Sequence, residues 1–307
     1  MAKKISVIGS GAVGSTLAFS LLCRLQLEEL VLVDIVEGIA KGTALDLEDC
    51  RGVLGFNTKI KGTNDCASIK GSEIVVITAG IARKEGMSRL DLLKTNAKVV
   101  REASSKIKEL CPSSTVIVVT NPLDLITYVV KKETGFSRNK VLGMGASLDT
   151  SRLLNILSQE ANTQIPYIKG YVWGMHSNDM IISSSRIKVK GKSLEEALGK
   201  EAAEKFAQRV KLRGAEIVGH LKNRSAHFAP ALACCALIEA IVHDKNEVIT
   251  VSILLEGEYG LKNVCMAVPC VINRKGADKI IEEKLIPSEQ KQLEKVKEVF
   301  KECMTLL

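Results

Sequence analysis

The sequence predicts an α/β fold: a doubly wound parallel sheet, followed by a second lobe of mixed α+β character. Three observations lead there. The first 144 residues alternate short β-branched runs with segments of helical spacing. A glycine-rich turn joins the first run to the first helical segment. After residue 144 the strict alternation stops. Alternation of this kind calls for a parallel sheet covered on both faces, with right-handed crossovers.

The strand runs of the first part are Ile5–Ile8, Leu30–Val33, Ile74–Thr78, Val116–Val119 and Val141–Met144, with a weaker candidate at Lys59–Gly62. The strong runs are short and nearly all apolar, which suits burial on both faces. Helical spacing occupies Ser15–Leu25, Ile39–Cys50, Leu90–Leu110 and Leu123–Glu133. In the second part a helix at Ser151–Glu160 precedes strand-like runs at Lys169–Trp173 and Arg186–Val189. A long helical region from Leu194 to His220 and a helix at Ala231–Val242 follow. Strand candidates Val248–Leu255 and Val264–Ile272 lead to a closing helix, Ser288–Cys303, with Ser288 as its expected N-cap. The expected division is 1–144 and 145–307. With no repeat and no low-complexity linker between them, the two lobes are expected to pack as one rigid unit.

Hydrophobic residues make up 46% and charged residues 25%, as in ordinary globular proteins. The formal charge is +8, but basic and acidic residues are interspersed. A nucleic-acid binder needs a basic stripe with interleaved aromatics, and aromatics here are only 4%. The mild positive field suits small anions instead. The most apolar late stretch, Pro230–Val242, is too short to span a bilayer. No apolar leader precedes the first strand, so the cytoplasm is the expected location. Nine cysteines include no Cys-x-x-Cys pair, so no metal site is expected. Cys23, Cys111, Cys234, Cys235, Cys265 and Cys270 fall in apolar or amphipathic stretches and are expected to be buried thiols.

The turn Gly9, Ser10, Gly11, Ala12, Val13, Gly14 follows the first strand directly and opens the first helix. In a nucleotide loop the first glycine permits the turn, the second lets backbone approach a pyrophosphate, and the third lets helix and strand pack closely. The helix N-terminus offers unpaired N–H groups to the phosphates. The pattern by itself is compatible with a plain tight turn. Here an acid, Asp34, also ends the next strand. A carboxylate there accepts from ribose hydroxyls and repels a 2′-phosphate, and Ile35 offers no welcoming cation. The expected cofactor is therefore NAD.

Further on lie two arginines six residues apart, Arg83 and Arg89, between a strand and a long helix. Asn121-Pro122 ends another strand, where turns also commonly begin. Asp149 and Arg152 are three apart at a helix start, so they share a face, and a simple ion pair would explain them equally well. His176 follows a strand; His220, His227 and His243 have no comparable setting. Together these residues offer fixed positive groups and a proton shuttle, the equipment for gripping a small dianion while a proton moves.

In their order and separation, Gly9–Gly14, Asp34, Thr78-Ala79-Gly80, Arg83, Arg89, Asn121-Pro122, Asp149-x-x-Arg152, Gly174-x-His176 and Ser225-Ala-x-x-Ala-Pro230 resemble the lactate/malate dehydrogenase family. The resemblance runs from Lys4 to the final helix. Arg83 resembles the malate enzymes, since lactate enzymes usually have Gln there. Gly143-Met-Gly145 and Glu256-Gly-Glu-Tyr-Gly260 look like the lactate-dehydrogenase-like malate enzymes of archaea and some bacteria.

This resemblance implies NAD-dependent oxidation of malate in a homodimer or homotetramer. It implies His176 as the base for the C2 hydroxyl and Asp149 as its orienting partner. It implies Arg152 on the C1 carboxylate, Arg89 on the C2 oxygen and Arg83 on the C4 carboxylate. Asn121 would orient substrate and nicotinamide. Thr78, Ala79, Gly80, Asn96, Val119 and Thr120 would line the cofactor, and the arginine loop, with Gly86 inside it, would close over the site. The chain departs from the family around the histidine. Met175 stands in place of a polar residue. Ser177 stands in place of a glycine, where any positive φ would be strained. Rival readings are another 2-hydroxyacid dehydrogenase, for which Arg83 is unsuited, a non-catalytic NAD sensor, and an NAD-dependent glycosidase, which would need a metal-binding Cys/His pair.

Overall fold

The computed structural model describes residues 2–81, 89–222 and 225–305. The apolar runs of the first part become strands β1 (Ala2–Ile8), β2 (Leu27–Val33), β3 (Lys59–Thr63), β4 (Ile74–Ile77), β5 (Thr115–Val118) and β6 (Val141–Gly143). Helices α1 (Ala12–Arg24), α2 (Glu37–Asp49), the short α3 (Arg51–Leu54), α4 (Arg89–Leu110) and α5 (Leu123–Thr134) connect them. All residues of β4 and β5 are buried, as apolar runs between two helix layers must be.

These strands pair in parallel in the order β3-β2-β1-β4-β5-β6. The order reverses between β1 and β4. In doubly wound sheets ligands bind at that reversal, outside the carboxyl ends of the strands. The glycine turn, Thr78 and Asn121 all follow such ends.

The second part holds α6 (Ala146–Glu160), β7 (Ile168–Lys169), β8 (Val172–Gly174), β9 (Met180–Ile182), β10 (Lys188–Val189) and β11 (Lys192–Ser193). Then come α7 (Leu194–Leu198), α8 (Lys200–Leu221), α9 (Phe228–Val242), β12 (Glu247–Glu256), β13 (Lys262–Asn273), β14 (Gly276–Ile280) and α10 (Pro287–Met304). The main sheet continues from β6 through β12, β13, β8 and β9, with β14 beside β13. The join is antiparallel at Gly143 and Ser252. A Cβ on Gly143 would lie 2.4 Å from Thr127 Oγ1 and 2.8 Å from Ser252 Cβ, so only glycine allows this approach. One apolar core extends from Ile5 on β1 to Phe300 on α10. A second surrounds Phe206 between α6 and α8. The ring of Phe300 meets Tyr128 of α5 edge-on at 5.5 Å, docking α10 on the first part.

Several expectations need correction. The run Lys169–Trp173 is two strands, because Gly170 turns the chain at φ 154°. β7 joins a small separate sheet and β8 the main one. The region Leu194–His220 is two helices broken at Gly199, whose φ is 81°. Ser288 is not the N-cap of α10: Pro287 opens the helix, and the Glu289 side chain accepts from Ile286 N at 3.1 Å. Cys23 is exposed, whereas Cys111, Cys234, Cys235, Cys265 and Cys270 are buried; all nine cysteines are free.

Candidate active site

At the nucleotide turn, Gly9 has φ 106°, and a Cβ there would sit 2.6 Å from Ala79 N. A Cβ on Gly14 would lie 1.9 Å from Gly9 O, so the helix can approach the strand only without one. Gly11 faces open space. No side chain caps α1 at Gly11, and the exposed turn leaves first-turn N–H groups available to an anion. Ser10 Oγ is buried and has no hydrogen-bond partner among the described residues. An uncapped helix start, open space at Gly11 and an orphaned hydroxyl fit a pyrophosphate.

Hydroxyls behind the turn hold it. Thr78 Oγ1 donates to Gly9 O at 2.7 Å, and Thr120 Oγ1 donates to Ala79 O at 2.7 Å. Asp34 accepts from Ser10 N at 2.8 Å and from Val36 N at 3.0 Å. It thus braces the glycine turn, and a carboxylate with about four lone-pair sites keeps capacity for a ribose. Ile35 beside it is 95% exposed. The far end of α1 is anchored by a two-point contact from Arg24 to Glu239 of α9, at 2.8 and 2.9 Å.

Asn96 is fully buried, and its amide is engaged on both sides. Oδ1 accepts from Ile81 N at 2.8 Å, and Nδ2 donates to Ile81 O at 3.2 Å and to Asn121 O at 2.7 Å. In this arrangement it ties two loop backbones together. The Asn121 residue is exposed. Arg83 and Gly86 lie outside the described residues. Arg89 begins α4, and its side chain too lies outside the description.

At the other side of the crevice, Asp149 of α6 is fully buried. Its Oδ2 meets His176 Nδ1 at 2.6 Å, and its Oδ1 accepts from Arg152 Nη1 at 3.0 Å. The charge pair that would have explained Asp149 and Arg152 alone is present, and the same carboxylate also holds the histidine. Arg152 Nε is buried without a partner among the described residues. A buried guanidinium with an unused donor is costly unless an anion completes it. Gly214 of α8 leaves room for it: a Cβ there would be 3.3 Å from Arg152 Nη1.

His176 is held by its backbone as well. Its N–H donates to Asp124 Oδ2 at 2.8 Å, from the first turn of α5. Burial alone would favour the neutral ring, but the charge and hydrogen bond of Asp149, with the charge of Asp124, outweigh burial and the opposing Arg152. The His176 pKa therefore lies above its ordinary value.

Comparison with known proteins places this geometry. The family model for the lactate/malate dehydrogenase NAD binding domain matches residues 3–143, and that for the lactate/malate dehydrogenase alpha/beta C-terminal domain matches residues 146–306. The chain belongs to the lactate/malate dehydrogenase family. It is 41% identical to the malate dehydrogenase of Bacillus subtilis, covering 99% of this chain and 98% of that protein. A malate dehydrogenase of Roseiflexus is 38% identical, covering 100% and 99%. The crystal structure of Cryptosporidium parvum malate dehydrogenase superposes with a TM-score of 0.95 at 34% identity, covering 99% of this chain and 98% of that one. A lactate dehydrogenase from the same organism, complexed with lactic acid and β-nicotinamide adenine dinucleotide, gives 0.92 at 33%, covering 100% and 97%.

Within this lactate/malate dehydrogenase architecture, the unusual residues beside His176 have simple explanations. Met175 is buried in the main core, so an apolar side chain fits there. Ser177 is not among the positive-φ residues, and its Oγ accepts from Asp179 N at 3.1 Å. The strain feared at that position is absent; Gly174 takes the left-handed turn, at φ 83°. Asp179 in turn pairs with Lys295 of α10 at 2.7 Å. Asp124 was not singled out in the sequence. An acid in a first helical turn has a sufficient local reason in the helix dipole, and only the fold reveals its partner.

Proposed function

We propose that the chain catalyses reversible hydride transfer between malate and NAD, giving oxaloacetate and NADH. The single observation behind this reading is the hub at Asp149. One buried carboxylate orients a histidine of raised pKa and a guanidinium that still has an unused donor. A proton acceptor and an anion clamp thus stand side by side. When bound, NAD supplies the hydride acceptor. Gly9–Gly14, Asp34, Thr78–Gly80 and Val119–Asn121 are the residues that would hold it.

The protein's own part divides as follows. Asp149 accepts from His176 Nδ1 and leaves Nε2 to take the C2 hydroxyl proton. The imidazolium that forms is stabilised by the same carboxylate. Arg152 holds the C1 carboxylate. Arg89 donates to the C2 oxygen as charge develops there. Arg83 pairs with the C4 carboxylate, and Asn121 orients the substrate. Residues 1–144 form the cofactor-binding unit and residues 145–307 the substrate unit.

Assembly as a homodimer or homotetramer belongs to the same reading. Phe19 of α1, Leu45 of α2, and Phe228 and Leu232 of α9 are large apolar side chains exposed by 45% to 69%, and α1 packs on α9. Cytoplasmic location is supported by nine free thiols. In the cell the chemistry is that of the tricarboxylic acid cycle. An assay of NADH consumption tests the activity: rapid oxidation with oxaloacetate and slow oxidation with pyruvate is expected. No oxidation of NADH with either substrate, or a preference for pyruvate, would refute it.

A further inference from the structure

Asp124 connects the reacting histidine to the opposite side of the crevice. It is 1% exposed and lies 52 residues from His176 in sequence, yet its Oδ2 accepts the His176 backbone N–H at 2.8 Å. It sits three residues after Asn121, on the first turn of the helix that Asn121-Pro122 leads into. Asn121 O in turn receives the amide of Asn96. The first turn of α5 therefore bridges backbone near the expected nicotinamide side and the loop holding the base.

We propose that Asp124 is a positioning residue: it fixes the His176 loop through the backbone N–H and sets a second carboxylate beside the base. The inference rests on His176 being the proton-transfer group. Burial of a carboxylate costs several kcal/mol unless charge or hydrogen bonds offset it. A helix N-terminus offsets part of that cost for any first-turn acid. It does not require the long-range bond to the histidine loop, and the two explanations differ in what they predict for pH.

Among the described residues, the charged groups facing the His176 ring are Asp149 and Arg152 from α6 and Asp124 from α5. The Cys265 thiol on β13 is pushed up by burial and by the nearby Asp124, so it stays neutral. Asp124 and Asp149 thus supply the negative charge, and Arg152 opposes them.

Asp124→Asn separates charge from geometry, because the amide oxygen can still accept the His176 N–H. The pH profile of kcat/KM for oxaloacetate reduction should move its alkaline fall to lower pH by about one pH unit, the low end for a nearby opposite charge. Asp124→Ala, which removes the acceptor too, should also lower kcat by about tenfold or more, as expected for loss of a charge-assisted bond. NADH affinity, measured by fluorescence, should be unchanged in both and reports intact folding. Asp124→Ser repeats the charge removal if asparagine or alanine disturbs folding. An unshifted pH profile in a variant that binds NADH would overturn the proposal. Inactivity of the wild-type protein toward oxaloacetate would instead refute the underlying functional reading.

Discussion

Asp149 Oδ2 and His176 Nδ1 lie 2.6 Å apart, joining the first turns of α6 to the loop after β8. The contact selects the ring nitrogen that carries the proton and leaves Nε2 for chemistry. His176→Asn removes the shuttle while leaving the nucleotide turn intact. NADH binding should persist, and kcat should fall by about 10²–10⁴-fold. Steady-state kinetics with a parallel NADH titration checks this. Retention of more than about a tenth of the wild-type rate would be incompatible with general acid–base catalysis by His176.

Oxaloacetate reduction requires the imidazolium, which donates to the ketone oxygen. Burial works against the charged ring, but Asp149 and Asp124 raise its pKa overall. The protonated form therefore persists above the ordinary imidazole value of about 6.5. With the folded pKa raised, both the stabilisation from this pair and the affinity for oxaloacetate are full at low pH. Both are lost as pH rises through the folded pKa. The kcat/KM profile at saturating NADH should fall as pH rises, at a pH above the ordinary imidazole value. A profile flat above that value would exclude His176 as the donor.

Asp34 and the exposed Ile35 are expected to decide between cofactors. Asp34→Ser combined with Ile35→Arg exchanges a repulsive charge for an attractive one. NADPH use should improve. NADH affinity should fall as well, because Asp34 also braces Ser10 N and Val36 N. An unchanged ratio of the two kcat/KM values would mean that other groups hold the ribose.

Gly214 on α8 leaves space for the Arg152 guanidinium. A methyl group there would meet Nη1 at 3.3 Å and push the clamp aside by a few tenths of an ångström. Gly214→Ala should raise KM for oxaloacetate by roughly fivefold, equivalent to about 1 kcal/mol of overpacking. NADH affinity should be untouched. An unaltered KM would place Arg152 away from the substrate carboxylate.

The parallel half was legible in the sequence because its strands are apolar on both faces and its glycines have local duties. Asp149, Arg152 and His176 were legible through motif order, which no single spacing would have supplied. What escaped depends on distant partners. β14 (Gly276–Ile280) has the composition of a turn, and pairing with β13 makes it a strand. The run Lys169–Trp173 reads as one strand until Gly170 is seen to turn it. The family resemblance points to Asn96 beside the cofactor, and only the fold shows its amide bonded to the backbones of Ile81 and Asn121. Asp124 stands in a first helical turn, where the dipole is reason enough for an acid, and its bond to His176 N, 52 residues away, appears only in the fold.

The most direct measurement is kcat/KM for oxaloacetate and for pyruvate, in the wild-type protein and in Arg83→Gln. Oxaloacetate has a second carboxylate that needs a cation in a dry site. Pyruvate forfeits that bond and leaves the guanidinium unpaired. The wild-type protein should prefer oxaloacetate by about 10⁴-fold, the lower part of the range for sites built on a polar contact. Arg83→Gln should cut oxaloacetate turnover sharply and raise pyruvate reduction, collapsing the ratio. A wild-type preference for pyruvate, or a ratio unmoved by Arg83→Gln, would contradict malate as the substrate.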